Sequence, residues 1–338
     1  MTDDATPAKP LARRLTSAAA TLGVVLVVPV VLAFLVAGPP AAGGAALGSL
    51  FGFLLALMTG LRRAAAFLVP ILISASLAAM LVGTVWWVVG LGLIGLLMGV
   101  LSSRGLLLPL AMMGIAWSVS RPTDPASDLV VLMLFAAISG VYAIAIARRL
   151  GVPRDVDQPR VATSRATLMG IGLGLAAVLA GVATQNWDTD NSYWLPMTIF
   201  ILGIPAPGVG LTQRAATRVV GTAVGVAVAV TLALVVDVAL VDYLLAFAAM
   251  VVALAVPTPR WFNAACVAGA IVLALSPTSE SVAIGGSRLG ATALAAVIVV
   301  AVGGVLALVA WLMPTSRGQE AQLDDFEEEL ERDSEPSA

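Results

Sequence analysis

The chain has no histidine and a single cysteine, Cys266. Those absences exclude disulfides, Cys/His metal sites, haem attachment and any nucleophile that depends on a Ser-His or Cys-His pair. No metal and no cofactor are expected, and the chain reads as a non-enzyme. Charge is equally scarce: 11% of the 338 residues are Asp, Glu, Lys or Arg, against about 25% in a soluble domain. There is also no Gly-x-x-x-x-Gly-Lys-Ser/Thr stretch, so this chain does not hydrolyse ATP by that machinery. With 60% apolar residues, too little polar surface exists to wet a globular body, and the reading is a polytopic membrane protein.

What is present is glycine, 32 residues of it, interleaved with long apolar runs such as Leu22 to Ala37 and Leu91 to Leu101. Small residues scattered through apolar runs suit helices packing closely in lipid, whereas a membrane β-barrel needs segments of alternating polarity. The fold class is therefore an all-α polytopic membrane protein. Apolar stretches fall near residues 17–37, 45–59, 65–82, 84–101, 105–120, 128–147, 166–184, 193–205, 216–236, 241–256, 261–276 and 288–313. That gives about 12 transmembrane helices, with a range of 10–12. Several stretches fall short of the roughly 20 residues that cross a ~30 Å hydrocarbon layer, so they read as tilted helices or half-spans.

Sidedness follows from the arginines, because positive loops stay in the cytoplasm. With the N-terminus inside, 16 of the 18 basic residues lie on the cytoplasmic side and only Arg121 and Arg288 fall outside. The expected location is the inner membrane, multi-pass, with both termini cytoplasmic. Arg13 and Arg14 before the first apolar run read as the start of an uncleaved helix rather than a cleaved signal. The tail holds nine acidic residues after Gln319 and reads as a solvated cytoplasmic segment.

A duplication is visible. Gly60-Leu61-Arg62-Arg63-Ala64-Ala65 recurs as Gly210-Leu211-Thr212-Gln213-Arg214-Ala215, and Gly114 with Pro122-Thr123 matches Gly269 with Pro277-Thr278. The expected organisation is a cytoplasmic N-terminal segment (1–16), a first six-helix repeat (17–147), a cytoplasmic linker (148–165), a second six-helix repeat (166–313) and an acidic tail (314–338). An even number of spans per repeat makes the two copies parallel, with a central path between them.

The most informative stretch runs Tyr193-Trp194-Leu195-Pro196, then a Pro/Gly-rich turn, then Thr212-Gln213-Arg214 and Arg218-Val219-Val220-Gly221-Thr222-Ala223-Val224-Gly225. Arg214, Arg218 and Thr222 share one helical face at i, i+4 and i+8, and guanidinium forks suit carboxylates. Each arginine is read either as an anion contact or as an anchor to lipid phosphate. Gly221 and Gly225 form a small-xxx-small packing face. Tyr193 and Trp194 are either an interfacial belt pair or a stacking wall for a ligand, and Trp86 and Trp87 read as belt. Arg62 and Arg63 are the first-half counterparts at the inner mouth. Arg288 is placed at the outer end of the last span, where it draws an anion or pairs with Glu280. Asn263 is the amide near a span start. Asp237 and Asp242 bound an outer loop, and no carboxylate is placed at mid-membrane.

This stretch resembles the fusaric-acid-resistance-like (FUSC) family of bacterial inner-membrane proteins. The resemblance implies a helical exporter of aromatic carboxylic acids over residues 165 to 313, while the first half matches only loosely. The expected function is export of small organic anions driven by membrane potential or a proton gradient. The alternatives are a non-transporting scaffold for envelope assembly and a major-facilitator-like permease, the latter lacking its Gly-x-x-x-Asp-Arg-x-Gly-Arg-type loop. The expected partners are an organic anion and the lipid bilayer, with a homo-oligomer and an adaptor protein left open and no nucleic acid.

Overall fold

The computed structural model describes residues 11–120, 126–158, 160–187, 193–205, 209–236, 238–256, 259–275 and 281–312. The first ten residues, the acidic tail, the Pro122-Thr123 and Pro277-Thr278 matches, and Arg121, Asp124, Asp188, Asp190, Asp237 and Glu280 lie outside the described residues.

Among the described residues every regular element is a helix. The chain opens with α1 (Leu11–Leu22), which passes through a π-helical turn (Gly23–Val27) into α2 (Val28–Thr59). That column bends at Ala37–Gly38, where Gly38 sits at φ 73°. Pro39 and Pro40 follow and supply no N–H to the helical ladder, which is the local cause of the bend. Gly60, at φ 88°, turns the chain into α3 (Leu61–Leu81). Next come α4 (Val85–Val100), a 3-10 turn (Leu101–Arg104), α5 (Leu107–Val119) and α6 (Ala126–Arg149). After an irregular connection follow α7 (Thr163–Gln185), α8 (Trp194–Gly203), α9 (Leu211–Val236), α10 (Ala239–Ala255), α11 (Arg260–Leu275) and α12 (Ser281–Leu312).

Among the described residues, seven stretches are helical, long and apolar enough to cross a membrane. They are Leu11–Thr59, Leu61–Leu81, Val85–Arg104, Ser127–Arg149, Thr163–Gln185, Leu211–Val236 and Ser281–Leu308. The helices Leu107–Val119, Trp194–Gly203, Leu240–Ala255 and Arg260–Leu275 are shorter. At 1.5 Å per residue the ten-residue α8 covers about 15 Å, half a hydrocarbon layer. Nearly every residue of α8 is buried against other helices, so its environment is protein rather than lipid.

Glycines set the closest helix pairs. On α2, Gly44, Gly48 and Gly52 recur every fourth residue, and a Cβ on each would collide with the backbone of α6 at Leu132, Ala136 and Gly140. Gly99 meets Gly170 in the same way, joining α4 to α7, and Gly225 meets Ala265, joining α9 to α11. Where lipid offers no hydrophobic drive between helices, this close approach supplies the dispersion contacts that hold the bundle together. Other packed pairs are α3 with α5 and α6, α8 with α12, α9 with α12, α10 with α11, and α1 with α10.

The irregular segment before α7 is fastened to the first helices. The amides of Leu61 and Arg62 donate to the carbonyls of Pro153 and Arg154 at 3.1 and 3.0 Å, and Gln158 Nε2 donates to the Met58 carbonyl at 2.7 Å.

Candidate functional site

The ends of three helices enclose a cavity of about 420 Å³: the C-terminus of α8 and the N-termini of α9 and α11. Its polar walls are Gln213, Arg214, Thr217, Arg218, Arg260 and Asn263, with Trp261 beside them. Three arginines therefore border one space. The described carboxylates, Asp128, Asp155, Asp157 and Asp242, line none of it. A cavity of this size holds a small molecule, and its donor set suits an anion.

The helical spacing of α9 makes the arrangement. Gln213, Arg214, Thr217 and Arg218 are the i, i+1, i+4, i+5 positions of its first turns, so their side chains share one face. Arg214 spends its guanidinium on the end of α8: Nη1 donates to the carbonyl of Leu202 at 3.0 Å and to that of Ile204. These carbonyls belong to the last turn of α8, where helical acceptors lack amide partners. Arg214 thus acts as a clamp, with Arg218 and Arg260 as the cavity's other cations. Asn263 Nδ2 donates to the Ala253 carbonyl at 2.6 Å and ties the break between α10 and α11. Gly221 and Gly225 lie on this same helix against α11, where a Cβ would strike the Trp261 and Ala265 carbonyls. Thr222, one turn beyond Arg218, is buried and does not line the cavity.

Deeper in the bundle lies a second cationic feature. Arg288 is placed by its sequence setting at the outer end of a span; instead, α12 begins at Ser281 and carries Arg288 two turns into the protein, about 10 Å from the helix start. The reason is that the uncharged stretch from Ser281 to Ser287 extends the helix upstream of the charge. Arg288 is 2% exposed. Its guanidinium carbon lies 4.1 Å over the Trp194 ring, and its Nε and Nη1 have no hydrogen-bond partner. Arg218 is near enough for the two positive charges to repel. Such a cation gains cation–π attraction of about 2 kcal/mol when desolvated, short of the several kcal/mol that burying an unpaired charge costs.

Trp194 is only 5% exposed and stacks on Tyr193, ring centroids 4.6 Å apart. It therefore serves as an internal wall and not as a lipid belt. The second aromatic pair splits: Trp86 is 64% exposed, whereas Trp87 is 1% exposed and its carbonyl accepts the Trp117 indole N–H at 3.0 Å. The belt reading of Trp87 is corrected, since helical rotation of 100° per residue turns adjacent residues to different faces.

Arg62 and Arg63 do not line the cavity. Arg62 is exposed, and Arg63 Nη1 lies 3.5 Å from the Val156 carbonyl of the fastened segment. Three contributors escaped the sequence reading. Arg260 counts in the sequence only among the basic residues of the cytoplasmic side, although its position three residues before Asn263 points to a shared end. Gln213 and Thr217 were visible as neighbours of Arg214 and Arg218. Asp242 is not a loop boundary: it lies in the first turn of α10, fully buried, with both carboxyl oxygens unpartnered.

No curated protein and no solved structure matches the chain. Its long apolar helices make it a multi-pass helical membrane protein. Residues 175–310, the stretch that supplies α8 to α12 and with them every wall of the cationic cavity, match the sequence model of the family described as fusaric acid resistance protein-like.

Proposed function

We propose that the protein is an inner-membrane exporter of small organic anions such as aromatic carboxylates. The observation that carries this reading is the buried Arg288 on Trp194, which has no carboxylate partner among the described residues, together with the nearby Arg218, which it repels, and the Arg260 end of the cavity. A cation with no counterion among the described residues, beside an aromatic face, suits a carboxylate that comes and goes. Charge also supplies the driving force: at roughly −150 mV an outward-moving monoanion gains about 3.5 kcal/mol, several-hundred-fold at equilibrium.

The pairing of helices supports two parallel six-helix repeats. In one set α2 packs on α6 and α3 on α5 and α6; in the other α8 packs on α12 and α9 on α11 and α12. Each set also lends its first helix to the other's fourth, α1 to α10 and α7 to α4. In this frame the short helices are half-spans, the cavity opens to the cytoplasm, and Arg288 lies near mid-membrane.

Counterflow of labelled benzoate in proteoliposomes under imposed potentials tests the proposal. Flux that rises with inside-negative potential and falls at least tenfold in Arg218→Gln is expected. Potential-insensitive flux would defeat uniport, and absence of both binding and flux for every carboxylate tried would leave the scaffold reading.

A further inference from the structure

The face of α9 that lines the cationic cavity does not end there. Past Gly221 the same stripe turns apolar, with Val224, Val228 and Leu232 lining a second cavity of about 410 Å³. Two helices that touch only lightly, α9 and α10, form its sides, and α11 forms its floor. Ala248 and Val252 face it from α10, and Cys266 and Gly269 from α11, with no charged side chain among the described residues of its walls. Trp261 borders both cavities. A cationic end and an apolar trough therefore run in series along one helix, and from Val224 to Leu232 the trough extends about 12 Å.

We propose that the transported anion is a single-chain amphipathic carboxylate that enters sideways from the inner leaflet. Its carboxylate meets Arg218 and Arg260, and its alkyl body lies in the trough between α9 and α10. This rests on the anion-export reading above and adds the shape of the substrate and its route. A resident phospholipid fits less well, because its phosphate stays at the headgroup level. Arg218 sits seven residues into α9, about 10 Å beyond the helix start.

The test is equilibrium binding of acetate, butyrate and octanoate to the full-length protein in lipid nanodiscs. Each added methylene is expected to tighten binding about fourfold, the equivalent of about 0.8 kcal/mol. Partition into the bilayer produces a similar trend, so the decisive comparison is with Ala248→Trp and Val228→Trp. Both positions are exposed, so an indole is tolerated there and fills the trough while the bilayer is unchanged. The octanoate-to-acetate affinity ratio is expected to fall at least tenfold in both variants. A ratio that stays the same in both overturns the proposal, as does native mass spectrometry showing a phospholipid that octanoate does not displace. Failure of the underlying export reading looks different: acetate then does not bind, or binds equally well to Arg218→Gln.

Discussion

Replacing Arg288 by Met separates a functional cation from a structural one, because the two roles predict opposite changes in stability. The substitution removes a charge that is 2% exposed and leaves Nε and Nη1 unsatisfied. A charged residue in a membrane-spanning helix costs up to about 2.5–3.5 kcal/mol on insertion scales, the full figure applying at the helix centre. Against this stands the lost contact with Trp194 at 4.1 Å, worth about 2 kcal/mol when desolvated. The thioether of Met refills most of the volume and makes its own contact with the ring. The unliganded variant should thus be more stable by about 1 kcal/mol, read as a rise of a few degrees in Tm. Wild-type protein, in contrast, should gain about 2.7 kcal/mol in an anion at 100 times its Kd, and the variant should lose most of that gain. Differential scanning fluorimetry in nanodiscs with and without benzoate measures both quantities. A variant that melts lower without anion, yet keeps the full ligand-induced shift, would refute the assignment of Arg288 to the anion path.

Other substitutions probe separate links. Arg214→Ala should cost about 2–3 kcal/mol, since charge-assisted hydrogen bonds to the end of α8 are lost, whereas Arg260→Ala should weaken anion binding without lowering Tm; thermal melts and binding isotherms of the two variants distinguish clamp from ligand contact. Gly225→Val should prevent assembly of α9 against α11, because even a Cβ meets the Ala265 backbone, whereas Gly43→Ala, with open space around it, should be neutral; yield of monodisperse protein on size exclusion reports both. Asp242→Asn keeps the side-chain shape and removes an unpartnered carboxyl from the buried face of α10, so stability should stay constant or rise. A drop of several degrees would mean that the carboxyl has a partner.

How far the molecule was legible in its sequence depends on the range of the interaction. Composition alone implies helices in lipid, and the shared face of Arg214 and Arg218 follows from a 3.6-residue period, which is local information, whereas Thr222 on the same spacing is buried and lines no part of the cavity. Gly221 and Gly225 were likewise visible as a four-residue spacing, although only the fold shows which carbonyls they approach. Arg288 is misplaced by its sequence setting, because a charge ordinarily marks a span boundary while here an uncharged stretch ahead of it continues the helix. The burial of Trp194 and Asp242 and the joining of Arg260 to Arg218 are not legible either. Each depends on how helices distant in sequence pack, and periodicity carries no record of that.

The segment before α7 has mechanical meaning. Its bonds to Met58, Leu61 and Arg62 splint it to the underside of the early helices, and the Gly99–Gly170 contact welds α7 onto α4. It is therefore a handle and not a tether. A protease nick in this segment would leave the two fragments clasped together.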